Sequence, residues 1–142
     1  MLRLLKSMET GIKEIDDQHR ELVDRINKVI KMGEAGKSKE ETEETLNFLA
    51  EYVLKHFSTE DDYMNKCSYP VCYLHQGQHS NFVEKFLELR DRYENSGYSI
   101  ELSTELNTYM VSWVVNHVTT SDAAFGKYYL KKMGGNPDDI TV

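Results

Sequence analysis

Proline is scarce in this chain, with two residues among 142, so long helices meet few interruptions. Cysteine is equally scarce. Cys67 and Cys72 lack the Cys-x-x-Cys spacing of a redox motif, and the expectation is two free thiols rather than a redox pair. No apolar run approaches the roughly 20 residues that a membrane span requires. The opening Met1-Leu2-Arg3-Leu4-Leu5-Lys6 is too short an apolar stretch for a signal peptide, so the expected location is cytoplasmic. Positive charge is in deficit. A net charge of −7 argues against a nucleic-acid backbone or an anionic membrane as partner, but not against a small neutral ligand. Internal repeats and low-complexity tracts are absent, and Glu40-Glu41-Thr42-Glu43-Glu44 reads as the solvated first turn of a helix.

What is present points to a single all-α domain over residues 1–142, with 39% hydrophobic and 29% charged residues. Residues 1–15 lack a clean period and read as an N-terminal arm. Asp16 is the expected N-cap of a first helix over about 16–33, whose stripe is His19, Leu22, Val23, Ile26, Val29 and Ile30 and which Gly33 and Gly36 end. Ser38 and Glu41 form a capping box for a second helix, about 38–66, with Leu46, Leu49, Val53, His56, Phe57, Glu60 and Met64 on one face. Tyr69-Pro70 opens a third, about 70–95, with Pro70 at its first position. Gly77 in that helix costs about 1 kcal/mol against alanine, and it either admits close approach of a neighbouring backbone or has no structural meaning. Ser99 caps a fourth, about 99–132, before Gly134-Gly135-Asn136-Pro137. Four long amphipathic helices with short connections predict an antiparallel up-down-up-down four-helix bundle with an N-terminal arm.

All five histidines fall on the apolar stripes, where a buried imidazole must find partners for both nitrogens. One such residue is a hydrogen-bonded core histidine by default. Five of five on inward faces suggest a shared metal. His56 and Glu60, like His75 and His79, are four residues apart, which puts the two side chains about 40° apart on one helix face. Asp61 and Asp62 point further round that helix and are expected to be solvated. Asp122 follows His117 by five residues, which on a regular helix turns it about 140° away. It converges only if the helix is over-wound or bulged, and Thr119-Thr120-Ser121 is a poor helix former that permits this. Seven donors are too many for one ion. If both carboxylates and one oxide or hydroxide bridge two ions, the histidines split three and two, one ion being six-coordinate and the other five-coordinate with a vacant position. Nitrogen and oxygen donors in such a paired site suit iron better than tetrahedral zinc.

These residues resemble the hemerythrin family, specifically the single-domain bacteriohemerythrins. The likeness rests on Gly11-Ile12-Lys13-Glu14-Ile15-Asp16-Asp17-Gln18-His19, on His56-Phe57-x-x-Glu60 followed by Met64, on Tyr69-Pro70 with His75-x-x-x-His79-x-x-Phe82, and on Trp113-x-x-x-His117-x-x-x-x-Asp122. It covers nearly the whole chain in order, and the five-residue step from His117 to Asp122 is the family's own. The resemblance implies two iron ions bridged by Glu60, Asp122 and an oxide or hydroxide. His75, His79 and His117 would complete the six-coordinate iron, and His19 and His56 the five-coordinate one. It implies a pocket for O2 walled by Leu22, Phe57, Trp113, Val114 and Val118. Many bacterial members carry a tryptophan in the arm, where this chain has Leu4 or a neighbour.

The function expected from that likeness is reversible O2 binding by a non-enzymatic carrier, store or buffer. A sensor of O2, NO or redox state is the alternative from a different class, as is a di-iron peroxidase or NO-handling enzyme. An enzyme needs proton donors or an electron route at the pocket. Tyr63, Tyr69 and Tyr109 are the available hydroxyls, and tyrosines in a bundle more often pack with the hydroxyl outward.

Overall fold

The computed structural model describes residues 2–34, 39–97 and 99–133, and among these the chain is all-α with no strand. Helix α1 spans Lys13–Glu34, α2 Lys39–Lys66, α3 Cys72–Ser96 and α4 Ile100–His117. A five-residue π turn, Val118–Asp122, joins α4 to α5, Ala123–Lys132. Each long helix packs on the next and α4 closes back on α1, so α1, α2, α3 and the α4–α5 rod make an antiparallel four-helix bundle.

Two helix starts differ from the sequence expectation, those of α1 and α3, and that of α4 agrees with it. Helix α1 begins at Lys13, ahead of Asp16, which therefore lies within its first turns rather than capping it. The Asp16 carboxylate instead takes up the arm: Oδ1 accepts from the Thr10 amide and hydroxyl, both at 2.8 Å, and Oδ2 from the Gly11 amide at 3.1 Å. Helix α3 begins at Cys72, two residues after Pro70. The Cys72 amide still reaches back to the Tyr69 carbonyl in a tight turn, and regular helical bonding begins only beyond it. Helix α4 begins at Ile100 with Ser99 as cap, its Oγ accepting from the Leu102 amide at 3.1 Å. The proposed cap at Ser38, the stop at Gly36 and the stop at Gly134–Pro137 lie outside the described residues, while Gly33 is inside α1.

The arm packs on the bundle. Leu2 and Met8 are buried in the main core, and the Asn27 carboxamide pairs with both polar groups of the Leu2 backbone at 2.9 and 3.0 Å. Further along, the arm crosses α5 at Gly126. A Cβ there would stand 2.3 Å from the Thr10 carbonyl oxygen, so only glycine admits the crossing. Gly77 has no such duty. A Cβ at that position meets nothing within 4 Å, and the close approach that would have offset its helix cost is absent.

The apolar interior is divided. A large cluster runs through Leu22, Ile26, Leu49, Phe57, Phe82, Phe86, Leu106, Val114 and Val118. A smaller one comprises Ile12, Ile15, Met64, Cys67, Phe125 and Tyr129. Cys67 is buried, Cys72 half-buried, and both are free. Polar groups from every long helix meet between the two clusters.

Candidate metal centre

The π turn decides the register of the last contributor. It carries one extra residue per turn relative to an α-helix, so five residues from His117 make roughly one full turn, and Asp122 returns to the face His117 occupies. The Ala123 amide bonds the Val118 carbonyl, which is the wide π spacing. Hydroxyls bond the helix's own carbonyls here: Thr119 Oγ1 donates to the Val115 carbonyl and Thr120 Oγ1 to the Asn116 carbonyl, each at 2.6 Å. The threonines that make this stretch a poor α-helix thus stabilise its alternative.

All seven expected donors are brought together, each at most 4% exposed. Helix α1 supplies His19, α2 supplies His56 and Glu60, α3 supplies His75 and His79, and the α4–α5 rod supplies His117 and Asp122. The two oxygens of Glu60 divide the histidines. Oε2 lies 3.0 Å from His56 Nε2 and 3.4 Å from His19 Nε2, while Oε1 lies 3.1 Å from His75 Nε2 and 3.0 Å from His79 Nε2. Asp122 divides them the same way, with Oδ2 at 3.0 Å from His19 and Oδ1 at 3.0 Å from both His75 and His117. Two overlapping donor groups result: Glu60, His75, His79, His117 and Asp122, and His19, His56, Glu60 and Asp122, with all donor atoms of a group within 4.8 Å of one another.

These contacts are not a satisfied hydrogen-bond network. His19 Nδ1 and Nε2, Glu60 Oε2 and both Asp122 oxygens are buried without a hydrogen-bond partner. His79 Nε2 and His117 Nε2 face each other at 3.1 Å. Cis donors on an octahedral ion with bonds of about 2.1 Å stand about 3.0 Å apart, so separations of this length suit atoms that share a cation. Buried polar atoms lacking partners inside a dry core are costly unless something binds them. The donor set therefore fits metal ions.

Protons take part of that load in the metal-free protein. Burial opposes a charged His19, but Asp122 and Glu60 outweigh it and raise the imidazole to about 10. The same two carboxylates raise His75 to about 9 against its own burial. His79 is lowered, by burial first and by His117 and His75 after it. Glu60 and Asp122 are both held below the usual carboxylate range despite complete burial, by the histidines around them.

A second layer of side chains went unread in the sequence. Gln18 Oε1 sits 2.8 Å from His56 Nδ1, and its amide donates to Thr59 Oγ1 at 3.1 Å. Gln78 Oε1 sits 2.8 Å from His117 Nδ1 and accepts from Ser121 Oγ at 2.8 Å. A glutamine carbonyl is an acceptor only, so each fixes Nδ1 as the protonated nitrogen and frees Nε2 as a donor to a cation. The only sequence signal was a glutamine immediately before a histidine, and each serves a histidine on a different helix. Asp61 is a correction: it is half-buried, with Oδ1 fully buried, whereas Asp62 is exposed as expected.

Of the five expected pocket residues, Leu22, Phe57, Val114 and Val118 are buried in the main cluster and Trp113 packs against it. Phe57 stacks on His79 at 3.8 Å between centroids and Trp113 on His117 at 4.3 Å, so these two cover the three-histidine half. Tyr69 and Phe125 approach His75 from the smaller cluster at 6.5 and 6.3 Å.

A family model, described as hemerythrin HHE cation binding domain, matches residues 10–129. Among curated relatives, the bacteriohemerythrin of Stenotrophomonas maltophilia is 27% identical over 118 residues, covering 83% of this chain and 74% of the relative. That of Methylococcus capsulatus is 26% identical over 117 residues, covering 82% and 87% respectively. The crystal structure of a wild-type hemerythrin superposes with a TM-score of 0.79 at 24% identity, over 91% of this chain and 98% of the other, a likeness of fold. A hemerythrin mutant superposes with a TM-score of 0.81. With the family match running from the end of the arm to the middle of α5, the chain belongs to the hemerythrin HHE cation-binding domain family.

Proposed function

We propose that this domain holds two iron ions and binds O2 reversibly as a carrier, store or buffer. The observation that carries the reading is the division of both carboxylates between the same two sets of histidines. Glu60 and Asp122 each turn one oxygen to His75 and its neighbours and the other to His19. Residues arranged in this way suit two cations that share both carboxylates, with His75, His79 and His117 on one and His19 and His56 on the other. By donor count the second is the less filled, as in the family it resembles. When bound by these residues, an iron pair would supply the two-electron redox chemistry that reversible O2 binding requires.

The chain's own contribution is to bind, orient and keep dry. Gln18 and Gln78 hold His56 and His117 in one tautomer. Phe57 and Trp113 fix the planes of His79 and His117 by stacking. Leu22, Val114 and Val118 present buried apolar surface. Such walls favour retention of a neutral diatomic over acid–base chemistry, which supports binding over catalysis.

The test is to load the protein with iron, reduce it under anaerobic conditions and admit air while following visible absorption. A band that appears with O2 and vanishes under argon, over repeated cycles, is the expected result. Immediate one-way oxidation sinks the carrier reading in favour of a sensor or an enzyme.

A further inference from the structure

His79 lacks an arrangement that His56 and His117 share. Those two turn Nε2 toward the carboxylates and Nδ1 toward a glutamine carbonyl at 2.8 Å. His79 turns Nε2 to Glu60 Oε1 at 3.0 Å, but its Nδ1 is buried with no hydrogen-bond partner within the protein. The residue lines a groove of about 750 Å³ between α2 and α3, whose polar members include Ser58, Asp61, Gln76 and Ser80. Asp61, one residue beyond Glu60, has its Oδ1 buried there and likewise without a partner. Burial raises its carboxyl above the ordinary value, with His79 and then the Gln76 carboxamide pulling the other way. A buried donor and a buried acceptor, each unmatched, thus share one groove.

We propose that Asp61 is the positioning residue of His79, its carboxylate accepting the Nδ1–H of that ring through one water held in the α2/α3 groove. A histidine that binds a cation through one nitrogen hands the other N–H to an acceptor, which fixes tautomer and plane and strengthens the donor nitrogen. A bridging water needs two to four polar neighbours, and the Ser58 and Ser80 hydroxyls stand in the same groove to supply the remainder. Asp61 differs from Gln18 and Gln78 in carrying a full charge. It therefore sets His79 apart as the strongest donor of the three-histidine half and stabilises the more oxidised pair. The inference rests on His79 being a metal ligand.

The test compares Asp61→Asn, Asp61→Glu and, as a control on the exposed neighbour, Asp62→Asn. Each is loaded with ferrous iron against a competing chelator. Its metal content, midpoint potential and metal-free melting temperature are then measured. In Asp61→Asn two irons still bind, but affinity falls roughly 10–100-fold, the usual loss for a missing outer partner of a ligating histidine. The potential rises, because a negative charge behind the ferric pair is gone. Asp61→Glu recovers most of both, and Asp62→Asn matches the parent. The metal-free Asp61→Asn protein melts no lower than the parent, since the change removes an unmatched, partly buried charge. Parent-like affinity and potential in Asp61→Asn overturn the proposal, as does an equal loss in Asp62→Asn or a metal-free protein that unfolds. A parent protein that takes up no metal pair is a separate result, and it overturns the di-iron reading itself.

Discussion

Glu60 has no solvent contact and no hydrogen-bonding N–H for Oε2, yet it is held ionised among four imidazoles. At this scale each side chain either faces the charge of the two carboxylates or orients one that does. His117 does the first, with Nε2 at 3.0 Å from Asp122 and Nδ1 held by Gln78. His117→Ala removes one of three nitrogens from its half and frees Gln78. The expected outcome is metal content that falls from two per chain to a mixed or single value, measured by elemental analysis with visible absorption. Full retention of two irons with an unchanged spectrum would falsify the assignment of this histidine. Gly77, by contrast, is a replaceable residue on the same helix as His75 and His79. With nothing within 4 Å of an added Cβ, Gly77→Ala gains helix propensity without a clash. It is expected to raise stability by about 1 kcal/mol, read by denaturant unfolding of the metal-free protein.

The π turn is the element that separates what the sequence states openly from what it does not. The helical stripes were legible because inward positions repeat every three or four residues, and so were six of the seven donors. Asp122 was not legible by that rule, because periodicity assumes an unbroken helix and Val118–Asp122 breaks it. The residues that betray the break, Thr119 and Thr120, do so through hydroxyls that bond the helix's own carbonyls. Asp16 was misread for a related reason: a carboxylate at a helix start can serve the segment before it as well as its own amides, and here it serves Thr10 and Gly11. Gln18 and Gln78 were illegible because their partners lie on other helices. Removing Thr120 tests the element directly. Deletion takes out the extra residue, and in the regular helix that results the aspartate follows His117 by four residues, about 40° away on the same face. Asp122, Phe125 and Tyr129 therefore keep the faces they occupy now. Retention of the metal pair with helical circular dichroism kept is expected; a deletion protein that loses the pair would show that the turn does more than set the register of Asp122.

Across the whole molecule the centre sits between two apolar clusters and substitutes charge for packing. That makes stability depend on pH in a way ordinary cores do not. In the metal-free protein His19 and His75 are raised from 6.5 to about 10 and about 9. Their contribution is complete below the unfolded value of 6.5 and is lost as pH rises through 9 to 10. Glu60 and Asp122 are lowered, so theirs is present above the ordinary carboxylate range and is lost as pH falls below it. The metal-free domain should therefore melt highest at roughly pH 4.5 to 6.5 and progressively lower toward pH 10. On the proposed ligand set, metal binding expels the protons on His19 and His75, so affinity should climb over the same range and loading at neutral pH should release protons. Calorimetric melts across pH, with proton release followed in weak buffer, check both. A melting temperature that increases from pH 6.5 to 9 without metal would contradict the sign.

The span of the centre along the chain has a consequence for biosynthesis. His19 lies on the first helix and Asp122 at the junction before the last, with roughly a hundred residues between them. At about 5–20 residues per second, a ribosome needs roughly 5–20 s to get from one to the other. Throughout that interval the growing chain carries His19, then the His56 and Glu60 pair, then His75 and His79, with no second carboxylate to divide charge between two ions. The arm cannot reach its crossing either, because Gly126 is made later still. A cation captured before then would meet an incomplete and unclosed cup, so selective loading belongs to the stage after Asp122 and Gly126 are in place.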